Sequence, residues 1–235
     1  MDERKKVMSI KTAARRLLML VLGITGFSYA QDAVPDGNVQ YNWAFVARAG
    51  SAGHRSLGNV TRDTAMKSGD QFKMFVSLSK TAYVYVVHKS SNDAISLLFP
   101  YGPEMFQKEY TLDKNYYIPK GRDWFVLDKN TGTETFYVLA SSERLTGLEK
   151  LIGEYAQADS AKKLDVAARV INEIKETKKR FRTFVTLAER PISIAGNVRG
   201  EASKEIDPDR IDIATLATEI SANNFFSKTI TIDHK

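Results

Sequence analysis

Ala82-Tyr83-Val84-Tyr85-Val86-Val87, flanked by Phe72-Lys73-Met74-Phe75-Val76-Ser77-Leu78 and by Ile95-Ser96-Leu97-Leu98-Phe99, decides the fold. In the 72–78 segment Phe72, Met74, Val76 and Leu78 fall on one side at a period of two. Lys73 and Ser77 fall on the other, with Phe75 the exception. That alternation predicts a strand with one buried and one mostly wet face, as an antiparallel sheet permits. Residues 82–87 are apolar on both sides, which predicts a strand placed centrally. Ser90-Ser91-Asn92-Asp93 is turn chemistry, so 95–99 is expected to return as the second arm of a hairpin.

Outward from this centre the punctuation stays regular. Residues 42–49 read as a first strand with Trp43, Phe45 and Ala47 on one side, followed by a loop of small residues over 50–58. Pro100-Tyr101-Gly102-Pro103 stops the 95–99 strand. Tyr116-Tyr117-Ile118 is followed by the turn Pro119-Lys120-Gly121. Residues 124–127 make a short strand, and 128–132 turn the chain into the strand 135–140. The period then changes. Leu148, Ile152 and Tyr155 form a helical stripe. Asp159 or Ser160 can cap a second helix over about 161–178, with Leu164, Ala168, Ile171 and Ile174 on its buried face. Residues 184–187 and 191–195 read as strands, with Gly196-Asn197 a turn and 201–210 a polar loop. Residues 212–220 fit a short helix, and 225–233 a closing strand. The expected class is α+β: mainly an antiparallel β-sandwich or partly open barrel, with a two-helix insertion packed on it.

The bulk composition agrees. At 235 residues, 43% hydrophobic and 26% charged, the chain can bury a full core. The +6 charge is unevenly spread: residues 1–30 hold six basic and two acidic side chains, and the remainder 28 basic and 26 acidic. A body of +2 does not advertise nucleic acid or an anionic membrane as partner. The absence of cysteine excludes disulfides, thiolate metal sites, a lipid-bearing cysteine and a cysteine nucleophile.

Residues 1–30 read as a secretory signal. A basic segment ends at Arg15-Arg16, an apolar run of about 11 residues follows, and Ser28-Tyr29-Ala30 supplies small residues at −3 and −1. The run is too short for a bilayer span of roughly 20 residues. Cleavage after Ala30 is expected, by the general secretory or the twin-arginine route. Residues 31–41 would then be a flexible leader and 42–235 a single β-rich domain, with a helical insert over 145–180 and closing strands over 184–235. The expected location is periplasmic or extracellular, with no transmembrane anchor in the mature chain.

Ser68-Gly69-Asp70, Ala82-Tyr83-Val84-Tyr85-Val86, Leu98-Phe99-Pro100, Tyr117-Ile118-Pro119 and Gly132-Thr133-Glu134 ahead of Ala140-Ser141-Ser142 occur in that order. In this order and spacing, residues 68–142 resemble the bacterial domain of unknown function 4384 family. The resemblance implies a small β-rich module found in secreted proteins and attached to caspase-like or kinase domains. It implies no catalytic residues, since none are assigned to that family.

Sites that could carry chemistry are few. His88 follows an apolar strand and precedes Lys89-Ser90-Ser91, but no Gly-x-Ser-x-Gly elbow is present, so His88 reads as a strand-end side chain. His54 and His234 read as solvated. Residues 128–132 begin like a calcium loop, but glycine falls at position five and Leu139 at position twelve, so the stretch reads as a turn and no metal site is expected. Asp207-Pro208-Asp209 is a lone acidic pair. No phosphate-binding glycine motif occurs, and no cofactor is expected. Glu134, one residue ahead of a strand, can cap loop amides. Lys175, Lys178, Lys179, Arg180 and Arg182 complement a helix C-terminus, with Phe181 and Phe184 interleaved. Tyr101, Tyr110, Tyr116, Tyr117 and Trp124 cluster near turns, and Tyr101, Tyr116, Tyr117, Arg122 and Trp124 are the candidate binding residues.

The expected function is a non-catalytic cell-envelope module that binds a protein partner. Glycan binding through exposed aromatics is the alternative, and an unrecognised hydrolase the third possibility. A deep pocket in which His88 converges with an acid would count against the first reading.

Overall fold

The computed structural model describes residues 37–50, 56–182, 188–191 and 212–235. The expected signal sequence, His54, the strand over 184–187, residues 192–195 of the strand after it, the turn at 196–197 and the loop over 201–210 lie outside those residues.

Among the described residues twelve strands form two sheets: β1 (Asn38–Ala49), β2 (Ser56–Asn59), β3 (Thr64–Met66), β4 (Gln71–Leu78), β5 (Tyr83–Lys89), β6 (Ile95–Phe99), β7 (Asn115–Ile118), β8 (Phe125–Val126), β9 (Gly132–Ser141), β10 (Ala188–Pro191), β11 (Thr218–Asn223) and β12 (Phe225–His234). The first sheet runs β10-β11-β1-β4-β7, with β2 on β1 and β8 on β4; the second runs β3-β12-β9-β5-β6. All pairings are antiparallel except β3 with β12. The sheets face each other across one core. Phe45 and Phe72 of the first meet Phe136 of the second, with ring centroids 5.1 and 5.3 Å apart. Tyr41 meets Phe226 at 6.0 Å. The fold is the expected α+β sandwich; the described strands close no barrel.

Two helices cover the outer face of the second sheet: α2 (Thr146–Gln157) and α3 (Ser160–Phe181), which follow the single turn α1 (Met105–Lys108). β5 is therefore buried on both sides. Val84 and Val86 face the sandwich core, whereas Tyr85 and Val87 face Leu148, Ala167, Val170 and Ile174. The Tyr85 hydroxyl donates to Glu149 Oε1 at 2.7 Å and accepts from the Leu145 N–H at 3.0 Å. Asp159 caps α3 as expected, accepting from the Lys162 N–H at 3.0 Å. Among the described residues no helix is long and apolar enough to cross a membrane.

Four expectations are corrected. β1 begins at Asn38 rather than 42, because Val39 and Tyr41 continue its inward alternation and the strand pairs with β11 from Asn38 onward. The buried face of α3 is Val166, Ala167, Val170, Ile174 and Thr177; Leu164 is 65% exposed. The two stripes share Ile174 and differ by about one residue step, or roughly 100° of helix. Lys73 and Ser77 are buried rather than wet. The Lys73 ammonium donates to the carbonyls of Gly121 and Asp123, at 2.6 and 2.8 Å, and burial lowers its pKa. Residues 212–220 are not one helix: a 3-10 turn (Ile213–Leu216) gives way to β11. Ile213 and Ala217 pack on Ala44, Val46 and Phe75, which explains why Phe75 breaks the alternation of its strand.

Candidate functional site

Three neighbouring strands of the second sheet carry their inward alternation one step past the core, and each step is polar. On β5, Val84 and Val86 are followed by His88. On β9, Phe136 is preceded by Glu134. On β12, Ile230 and Ile232 are followed by His234. Pairing of Lys89 with Thr135 and of Ile232 with Glu134 sets the three ends side by side. Opposite them, Phe72 of β4, Phe125 of β8 and the loop through Leu127 and Asp128 complete a cavity of about 290 Å³. Ser90, Ser91, Asn92, Ser96, Leu98, Val126 and Asn130 line the rest.

His88 Nε2 lies 2.6 Å from Glu134 Oε2, and the imidazole stacks on Phe136 with centroids 4.7 Å apart. Glu134 Oε1 accepts the Ser91 N–H at 3.2 Å, so the carboxylate caps the loop as its position predicts. Burial lowers the His88 pKa from its ordinary value, against a smaller opposing pull from Glu134. The neutral imidazole therefore donates Nε2–H to the carboxylate. Gly132 holds φ at +133°, and a Cβ there would stand 2.7 Å from Ser91 Cβ; the turn admits only glycine because the 90–92 loop lies across it.

His234 is 2% exposed, not solvated as its place in the sequence suggested. Its Nε2 is 3.0 Å from Ser68 Oγ, while its Nδ1 is buried with no hydrogen-bond partner. β12 is held there by β3, whose Met66 carbonyl accepts the Lys235 N–H at 2.9 Å. The Asp128 carboxylate accepts from the Asn130 backbone and side chain, both at 2.7 Å, and the backbone bond first holds its pKa low. Residues 128–132 thus make the expected turn. Among the described residues no three His, Cys, Asp or Glu side chains converge to hold a metal.

The aromatic candidates do not form one patch. Tyr116 is 3% exposed and faces the core; its hydroxyl donates to the Glu109 carbonyl and accepts from the Thr111 N–H, both at 2.8 Å. Its neighbour Tyr117 points to the opposite face, donating to Asp212 Oδ1 at 2.9 Å. Trp124 lies on that outer face, half-buried under Arg48 at 4.4 Å, and Lys73 approaches both rings. Tyr101 packs on Phe99 and donates its hydroxyl to the Tyr117 carbonyl. Arg122 is exposed. None of these residues lines the cavity. In the basic run at the end of α3, Phe181 stacks on the buried Phe225 at 4.7 Å and is half-buried against the core, and Lys178 donates to Thr229 Oγ1.

Sequence reasoning had Glu134 in hand as a capping group and His88 as a strand end, but it joined neither to the other, and it dismissed His234. The signal that could have found them is the alternation itself, in which each of the three extends an inward-facing series. Every lining residue except His234 falls between 72 and 136. No curated protein matches the chain. Residues 65–144, about a third of the chain and the part that runs from the end of β3 through β9, match the family model described as a domain of unknown function (DUF4384).

Proposed function

We propose that the protein is an exported cell-envelope module that binds a protein partner without catalysing a reaction, and that the partner's contacting group enters the cavity beside His88 and Glu134. One observation carries this reading: the parts of a nucleophilic site sit on different imidazoles. The acid, Glu134, is bonded to His88, whereas a serine hydroxyl, that of Ser68, is bonded to His234. A Ser-His-acid triad places acid and hydroxyl on the two nitrogens of one ring, and here neither imidazole holds both. Near His88, the Ser90 hydroxyl is committed to Asn92 and Ala94 within its own turn. A partly apolar cavity with converging polar groups and no assembled triad is suited to recognition.

Photo-crosslinking tests this. A crosslinking residue replaces Val126, which lines the cavity and is 56% exposed, or Leu164, which is 65% exposed on the helical layer. The expected result is a defined adduct with an envelope protein from position 126 alone, lost when Glu134→Gln is added. Equal adducts from both positions, or none from 126, remove the cavity from the proposal. Export is tested separately by the mass of the chain recovered from the periplasmic fraction, expected to begin at Gln31. Unprocessed chain in the cytosol overturns it.

A hydrolase is the second reading: the meeting of His88 with the Glu134 carboxylate inside a cavity is the convergence that counts against a purely binding role, and it is what favours this reading. It is tested by screening the protein against esters, glycans and peptides. Turnover abolished by His88→Ala would replace the binding reading, and unchanged turnover in that variant would exclude this histidine.

A further inference from the structure

We infer that the group taken by the cavity is a cation, an alkylammonium or guanidinium carried by the partner. This rests on the reading of the cavity as the binding site. The charge of the wall is one-sided. Asp128 and Glu134 supply carboxylates, and among the described residues no lysine or arginine lines the space. The two histidines add lone pairs. With Nε2–H given to Glu134, the neutral His88 ring keeps Nδ1 as an acceptor. In His234, the tautomer that donates Nε2–H to Ser68 has Nδ1 as a second acceptor, and that atom is buried with nothing bonded to it. That nitrogen is a buried polar atom left without a partner on a residue that lines the cavity.

The apolar wall points the same way. Phe72, Phe125 and Phe136 meet around the space, with centroids 5.1 Å apart for the first two and 5.3 Å for Phe72 and Phe136. Aromatic faces attract cations. An ammonium brings three donors and a guanidinium five, and neither brings an acceptor, so either complements a wall rich in acceptors. An anion would meet two carboxylates and no fixed positive charge. The volume, about 290 Å³, is at the low end for ligand pockets and suits one side-chain head with its stem, not a polymer segment.

Calorimetric titration of the full chain at neutral pH is the test. The probes are Nα-acetyl-lysine methylamide and Nα-acetyl-arginine methylamide. The Nε-acetylated lysine compound is the uncharged control and propionate the anionic one. At least one cationic probe is expected to bind, weakening with added salt, and the uncharged control to bind roughly tenfold more weakly or not at all. Asp128→Asn and Glu134→Gln should each weaken the cationic probe by roughly tenfold. Asp128 is exposed, so its variant keeps the test readable if Glu134→Gln disturbs the fold. The lysine and arginine arms tell ammonium from guanidinium. Equal binding of the neutral control, preference for propionate, undiminished binding by Asp128→Asn, or no binding of either cationic probe overturns the cation. Crosslinking from position 126 decides the cavity reading independently.

Discussion

At His88 two influences oppose each other, and burial is the larger. Its pKa is lowered from the ordinary value of 6.5 by desolvation, while hydrogen bonding and charge from Glu134 raise it by less. As pH falls through 6.5 the unfolded chain takes up a proton that the folded chain refuses, so stability falls with pH in that window. The loss levels off below the folded pKa. The denaturant midpoint of the wild type should therefore drop more between about pH 7 and about pH 5.5 than that of His88→Gln, which has no such proton to take up. Parallel curves would show that burial does not govern this ring. Glu134→Gln removes the negative charge and leaves at most a neutral acceptor, so the His88 ring should titrate at still lower pH by NMR; an unchanged or higher value contradicts the pairing. Glu134 was legible in the sequence as a cap, because an acid just ahead of a strand sits where loop amides are free. Its meeting with His88 was not, since it depends on the β5–β9 register, in which Lys89 opposes Thr135. His234 was misread for the same reason: pairing of β3 with β12 buries it.

At the scale of elements, alternation placed the strands and their inward faces but not the burial of Lys73 and Ser77 on the other face of β4, and helical facing picked the wrong stripe. A strand offers two faces, so Val84 and Val86 against Tyr85 and Val87 left no choice but a strand covered on both sides. A helix offers overlapping stripes. In α3 the stripe through Leu164, Ala168 and Ile171 is as apolar as the one through Val166, Ala167 and Val170, and only the sheet beneath selects between them. Two truncations read out that choice. Ile174 is fully buried against the second sheet, so Ile174→Ala should cost about 2–5 kcal/mol. Leu164 was expected in the core and is exposed, so Leu164→Ala should change stability by no more than about 0.5 kcal/mol. Chemical denaturation of both variants is the check, and a large loss at Leu164 would restore the stripe read from the sequence. The Tyr85 hydroxyl, bonded to Glu149 and to the Leu145 N–H, fixes where α2 starts over the sheet. That contact joins residues about 60 positions apart, and no local pattern announces it.

For the whole molecule, the family segment and the folding unit differ in extent. Residues 65–144 contain β4 to β9, but β4 is paired on one side with β1, and β9 is paired on one side with β12. Both partners lie outside the match. Cutting the chain to the matched segment leaves β4 and β9 with open ladder edges. It also strips Tyr41, Trp43, Phe45, Phe226, Ile230 and Ile232 from the core they share with Phe72, Val84 and Phe136. At about 1.5–3 kcal/mol for each large buried side chain, that is roughly 9–18 kcal/mol. The whole stability of an ordinary domain is about 5–15 kcal/mol. A fragment of residues 65–144 should accordingly show no cooperative thermal transition and poorly dispersed amide resonances, whereas residues 37–235 should melt cooperatively. A cooperative melt of the short fragment would mean that its strands find other partners, and the sandwich described here would not be the unit that folds. The same cut removes His234, so a short fragment that did fold would also lack the buried nitrogen at the wall of the cavity, and its affinity for the lysine and arginine compounds would fall even with Asp128 and Glu134 in place.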